Sequence, residues 1–160
     1  MLTLQFQGDF DNVSEFGFVD TPEQPFYFTF RVECGSCHEV HPNDIAFTAH
    51  ELHALPSSRG EANFSMKCKF CGKDGNVTTE PKLATYSAEA AQGKPVSMAS
   101  FDCRGLVLHE FVPRGEFWAS AESGSKFTLE FDDGEWYDYD EKAGQEVSIT
   151  GTQWSIVKTK

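Results

Sequence analysis

Hydrophobic and polar residues alternate along most of this chain with a period of two. Phe26, Phe28, Phe30 and Val32 are separated by Tyr27, Thr29, Arg31 and Glu33, which gives one apolar face and one more polar face. Successive side chains of a strand point to opposite sides of a sheet, so the pattern predicts half-buried β-strands. It recurs at Leu2/Leu4/Phe6, at Phe64/Met66/Cys68 and at Phe127/Leu129/Phe131. Towards the C-terminus Val147 and Ile149 repeat it, and Trp154 with Ile156 continue it on a strand expected to resume after Gly151. Turn-forming groups separate these segments: Thr21-Pro22, Pro56-Ser57-Ser58, Lys73-Asp74-Gly75-Asn76, Gln92-Gly93-Lys94-Pro95 and Asp132-Asp133-Gly134. Short, evenly punctuated strands predict a mainly β fold, an antiparallel sandwich or barrel-like arrangement. Helix is scarce. Only Ser87 to Gln92 has a helical composition, with Ser87 as N-cap and Gly93 as stop.

The chain of 160 residues reads as one compact domain, 1–160. A faint echo links Phe30-Arg31-Val32-Glu33-Cys34-Gly35 to Phe101-Asp102-Cys103-Arg104-Gly105. A boundary near Ala88–Pro95 would divide the chain into β-rich sub-lobes, 1–90 and 91–160.

Composition adds a core and a sign of charge. Hydrophobic residues make up 39% of the chain and 15 of them are Phe, enough aromatic bulk to pack sheets against one another. No apolar run approaches the roughly 18 residues of a membrane helix, so no membrane association is expected. Met1 to Phe6 lack the basic and long apolar stretches of a secretory signal, and read as a first strand of a cytoplasmic protein, with a nuclear pool also compatible. The net charge of −12 repels phosphate backbones and argues against nucleic acid as a partner. The acidic surface favours a monomer.

The cysteines carry the chemistry. Four of the five stand as Cys34-x-x-Cys37 and Cys68-x-x-Cys71, and Cys103 stands alone. In a reducing compartment such pairs are metal ligands more often than disulfides. Zinc takes four ligands in a tetrahedron, and thiolates at about 2.3 Å suit it. Two knuckles brought together by paired strands would complete the site, with one zinc ion joining two hairpins. Gly35 and Gly72 stand where each knuckle must bend, and positive φ there would aim N–H groups at the sulfurs. Lys67, Lys69 and Lys73 flank the second knuckle and can offset the negative charge of a zinc–thiolate centre. Histidine leaves an alternative open. His38 and His41 follow the first knuckle, and His50 and His53 form a His-x-x-His pair. They are read as exposed loop, surface or packing residues, although any could replace a thiolate.

These blocks resemble the eukaryotic CXXC motif-containing zinc-binding protein family, a family of unknown function. The resemblance runs through Cys34-Gly35-Ser36-Cys37, Arg59-Gly60 with Asn63 to Cys68, Cys68-Lys69-Phe70-Cys71, Phe101 to Leu106, Glu122-Ser123-Gly124 and Trp136 to Lys142. It implies a β-rich fold, zinc held by Cys34, Cys37, Cys68 and Cys71, and no established enzymatic activity. His38 and His41 are outside the family pattern.

Three further features bear on function. Cys103 closes an apolar strand and reads as a core thiol, with Asp102 and Arg104 a structural charge pair. The stretch Asp132 to Glu141 mixes carboxylates with Trp136, Tyr137 and Tyr139: either a strand with aromatics inward and acids outward, or a docking surface. Phe70 among Lys67, Lys69, Lys73 and Lys82 could stack on single-stranded RNA, but charge balancing at the metal is the better reading. No phosphate loop or His-Glu-x-x-His motif is present, and a zinc with four thiolates has no open position for catalysis. The expectation is therefore a non-catalytic zinc protein acting as a protein-interaction module. The alternatives are a metal-handling protein that exchanges zinc or copper with a partner, and, less favoured, a thiol oxidoreductase.

Overall fold

The computed structural model describes residues 1–56 and 59–159, so Ser57 and Ser58 of the expected turn lie outside the described residues. The strands are β1 (Leu2–Asp11), β2 (Val13–Phe18), β3 (Phe28–Cys34), β4 (Ile45–Phe47), β5 (His53–Ala54), β6 (Glu61–Ala62), β7 (Phe64–Lys67), β8 (Asp74–Thr79), β9 (Tyr86–Ser87), β10 (Val96–Arg104), β11 (Leu106–Val112), β12 (Phe117–Ala121), β13 (Lys126–Leu129), β14 (Trp136–Asp140) and β15 (Gln145–Lys158). The fold is mainly β, as the alternation predicts, and every strand pairing is antiparallel.

A six-stranded sheet runs in the order β14-β15-β1-β10-β8-β7. A three-stranded sheet, β11-β3-β4, and a four-stranded sheet, β13-β12-β2-β9, pack on it, and β5 with β6 form a small ribbon. Each of the three larger sheets combines strands from residues 1–90 with strands from 91–160, so a cut near Ala88–Pro95 separates no sheet from another. No helix among the described residues is long and apolar enough to cross a membrane.

Aromatic rings join the layers. Phe101 of β10 meets Phe28, Phe30 and Phe47 edge-on, with centroids 5.3, 5.3 and 5.8 Å away. Phe6 of β1 lies 4.8 Å from Phe16 of β2 and 4.6 Å from Trp154 of β15. Phe26, Phe28, Phe30 and Val32 are all buried, in the register the alternation implied. Burying each such ring stabilises the fold by roughly 1.5–3 kcal/mol, with edge-to-face contacts adding to that.

Two local expectations hold in detail. Helix α1 (Ala88–Ala91) starts at Ser87, whose Oγ accepts from Ala90 N–H, and ends where Gln92 and Gly93 turn to positive φ. Asp133 and Gly134 both have positive φ between Asp132 and Glu135, which exchange two backbone bonds as in a two-residue hairpin turn.

Others need correction. Residues 74–76 belong to β8, and the turn before them is the second knuckle itself, closed by the bond from Cys68 N–H to the Lys73 carbonyl. Likewise β15 does not stop and resume at Gly151. It runs on as one strand, and between the pairs Gln7↔Gln153 and Asp9↔Thr150 it carries an extra residue. Gly151, at φ +59°, sits in this bulge, where a Cβ would lie 2.5 Å from the Asp9 carboxylate. The extra residue switches parity, so Ile149 and Trp154 oppose Phe10 and Phe6 on one face of β1.

Candidate metal centre

Each Cys-x-x-Cys pair begins at the end of a strand and turns back through the same hydrogen-bond pattern. In the first, Cys34 N–H donates to the Glu39 carbonyl at 2.9 Å and His38 N–H to the Cys34 carbonyl at 3.0 Å. In the second, Cys68 N–H donates to the Lys73 carbonyl and Gly72 N–H to the Cys68 carbonyl, both at 2.8 Å. The residue after the second cysteine of each knuckle has positive φ: His38 at 65° and Gly72 at 78°. The bend assigned to Gly35 therefore belongs to His38. Gly35 serves close approach instead, because a Cβ there would lie 3.1 Å from the carbonyl carbon of Gly105.

The knuckles belong to different sheets. Cys34 ends β3, and Cys68 to Cys71 join β7 to β8. What brings them together is the corner between β10 and β11. Arg104 pairs with Asn76 of β8, and two residues later Leu106 pairs with Cys34. Gly105, at the corner with φ +75°, accepts the Gly35 N–H at 3.1 Å, and a Cβ on it would stand 2.4 Å from the Asp74 carbonyl oxygen. Only glycine fits between the two hairpins. The echo between Phe30–Gly35 and Phe101–Gly105 thus ends with the two glycines in contact.

The four sulfurs all lie within 4.8 Å of one another. Cys34 Sγ is 3.6 Å from Cys71 Sγ, and Cys37 Sγ is 3.8 Å from Cys68 Sγ. Zinc–sulfur bonds of about 2.3 Å imply tetrahedral edges of about 3.8 Å, so the cluster fits one zinc ion. Cys34 and Cys68 are buried, Cys37 is half-buried and Cys71 is exposed.

The electrostatics agree with a cation at the centre. Backbone N–H groups of Cys37 and Ser36 point at the Cys34 sulfur and lower its thiol to about 6. At Cys68 burial opposes ionisation, but the N–H groups of Cys71 and Phe70 outweigh it and lower the thiol. The Glu39 N–H favours a Cys37 thiolate, yet burial and the adjacent sulfurs of Cys34, Cys68 and Cys71 push it up to about 12. Without a cation the sulfurs cannot all ionise at this spacing; a divalent ion among them removes the repulsion.

The histidines stay out of the cluster. His38 is exposed, with Nδ1 3.6 Å from Glu33. His41, expected to be partly exposed, is buried beside Cys34, Cys68 and Leu106, and its ring lies 5.8 Å from that of Phe70. His50 Nε2 is 2.9 Å from Asp20 and His53 Nε2 is 3.8 Å from Glu51, so the two do not share a site. Cys103 is half-buried against the core, and burial followed by the Asp102 charge pushes its thiol up to about 12. Asp102 and Arg104 pair at 3.6 Å.

The acidic aromatic stretch is split. Trp136 and Asp140 turn inward, whereas Tyr137 and Tyr139 are 65% and 51% exposed, against the reading that all three aromatics face the core. Asp140 accepts from Ser123 Oγ, Ser125 Oγ and the Lys142 and Ala143 N–H groups, tying the β12–β13 turn to the β14–β15 turn.

Comparison with known proteins agrees with this geometry. The model of the family described as CXXC motif containing zinc binding protein, eukaryotic, matches residues 3–157. A UPF0587 protein of Schizosaccharomyces pombe is 42% identical over 137 residues, 85% of each chain. The CXXC motif containing zinc binding protein of Bos taurus is 29% identical over 160 residues, 98% of each chain. The crystal structure of C1orf123 superposes with a TM-score of 0.89 at 28% identity over 99% of each chain. A Plasmodium falciparum protein of 22% identity shares the fold, with a TM-score of 0.83 over 98% of each chain. The chain belongs to the eukaryotic CXXC motif containing zinc binding protein family.

Proposed function

We propose that this protein is a non-catalytic interaction module whose single zinc ion, held by Cys34, Cys37, Cys68 and Cys71, is structural. The observation that carries the reading is the closure of one four-sulfur cluster by knuckles from two different sheets, wedged together at Gly105. Four thiolates fill the tetrahedron and leave no position for a substrate or water. Metal binding on the order of 10 kcal/mol then becomes folding energy. The net charge of −12 supports a protein partner over nucleic acid, and the exposed rings of Tyr137 and Tyr139 supply a contact surface.

The test is removal of zinc by a strong chelator, followed by circular dichroism and zinc analysis on the same samples. Loss of sheet signal in step with zinc supports a structural ion; a fold that survives complete removal overturns it. A second reading, metal transfer to a partner, is favoured by the exposure of Cys71. It requires zinc to pass rapidly to a weak competing chelator while the fold persists, whereas a structural ion leaves slowly.

A further inference from the structure

Strand β14 lies at one edge of the six-stranded sheet, with β15 its neighbour on one side and no strand among the described residues on the other. The Tyr139 N–H donates to the side chain of the preceding Asp138 at 2.7 Å, a contact within β14 that an incoming strand's carbonyl would replace. Such an edge is a template for an added strand.

The surface beside it has one sign of charge. A groove of about 530 Å³ crosses β14, β15 and β1, bordered by the carboxylates of Asp11, Asp138 and Glu146 and by Tyr137 and Tyr139, with no lysine or arginine in its lining. Tyr137 pairs with Ser148, which in turn pairs with Asp11, so ring, hydroxyl and carboxylate form a row across three strands. Tyr139 pairs with Glu146 in the next row. Both rings are more than half exposed.

We propose that β14 docks a basic, extended segment of a partner protein as an added strand, with lysine or arginine at alternate positions. The proposal rests on the interaction-module reading and supplies its partner chemistry. In a strand, residues two apart face the same side at a spacing of about 7 Å. Tyr137 and Tyr139 have that spacing, so two cationic side chains of a Lys-x-Lys or Arg-x-Arg segment lie over the two rings, within reach of Glu146 on the neighbouring strand β15. Cation–π attraction and the carboxylates hold the side chains, and ladder bonds to β14 hold the backbone.

The test uses zinc-loaded full chain and a fluorescent nine-residue probe in which lysine alternates with threonine or valine. Anisotropy titrations should show salt-sensitive binding. The paired variant Tyr137→Ser, Tyr139→Ser should weaken it at least about tenfold, as should N-methylation of alternate amides in the probe. Because both tyrosines are exposed, the variant should keep its zinc and its circular dichroism spectrum, and amide NMR shifts caused by the probe should map to β14. Equal binding of a probe with glutamate in place of lysine, or no binding by zinc-loaded folded protein, overturns the proposal. Binding that ignores both the paired variant and N-methylation also overturns it, while leaving an interaction module with its contact elsewhere. Failure of the structural-zinc reading is seen separately, in the chelation experiment.

Discussion

His38 and Gly72 occupy the same position in two copies of one knuckle, with φ of 65° and 78° and an N–H that donates four residues back to Cys34 and Cys68. A residue with a Cβ is strained there by about 1 kcal/mol, and glycine is not. His38→Gly should therefore raise the stability of the zinc-loaded protein by about 1 kcal/mol in urea unfolding, and His38→Val should lower it. Neither change should alter zinc stoichiometry. Loss of zinc in His38→Gly would instead make His38 a ligand.

Gly105 and Gly72 both have positive φ, but their surroundings differ. A Cβ on Gly105 would meet the Asp74 carbonyl oxygen at 2.4 Å, whereas nothing lies within 4 Å of one on Gly72. Gly72→Ala should cost about 1 kcal/mol from backbone strain alone. Gly105→Ala should cost more than about 2 kcal/mol and speed zinc loss to a chelator, because it forces the knuckles apart. Equal effects of the two variants on zinc release would count against the wedge.

Asp140 links stability to pH. Hydrogen bonds from Ser123 and then Ser125 hold its carboxyl below the ordinary value of 3.8. A lowered folded value means that the stabilisation is complete above the unfolded pKa and is lost as pH falls through the folded one. The gap between wild-type and Asp140→Asn urea midpoints should be constant near neutral pH and should not widen as pH falls towards 3.8. The comparison is confined to the pH range in which both proteins keep their zinc, because protonation of the thiolates releases the ion. Equal midpoints for wild type and Asp140→Asn at neutral pH, or a gap that grows as pH falls, would remove Asp140 from this role.

Cys103 is the cysteine outside the cluster, but burial and Asp102 push its thiol up to about 12. At pH 8 it holds almost no thiolate, the form that reacts with disulfide reagents. Native zinc-loaded protein should therefore show no rapidly titrated thiol, and denaturation with a chelator should release five. Cys103→Ser should keep one zinc per chain, whereas Cys37→Ser or Cys68→Ser should lose it. Prompt labelling that maps to Cys103 in the native protein, and not to the exposed Cys71, would contradict the burial of Cys103.

The parts legible in the sequence are those whose cause is local. Alternation from Phe26 to Val32 specified a strand and its buried face, since side-chain direction has a period of two. Ser87 and Gly93 marked the short helix because caps satisfy amides three or four residues away. The two Cys-x-x-Cys pairs marked the four-sulfur cluster, since each knuckle closes within six residues, Cys34 to Glu39 and Cys68 to Lys73. Together with the matching blocks elsewhere in the chain they were enough to identify the family.

What the alternation left open is which strand lies beside which. A period of two names a face but no partner, so the pairing of β1 with both β10 and β15 belongs to the tertiary structure. The same holds for the bulge at Gly151, which keeps Ile149 and Trp154 on one face across a change of parity. The outward turn of Tyr137 and Tyr139 follows from β14 being an edge strand with a solvated outer face, a property of the sheet order. Gly105 gave no local signal as part of the metal centre, being 34 residues from Cys71 and further from Cys37. The amino-acid sequence by itself determined several of the strands, the helix caps and the two cysteine knuckles; only the assembled sheets decided that a corner glycine brings the four sulfurs within reach of one ion, because close approach of three separate backbones is not encoded in any one segment.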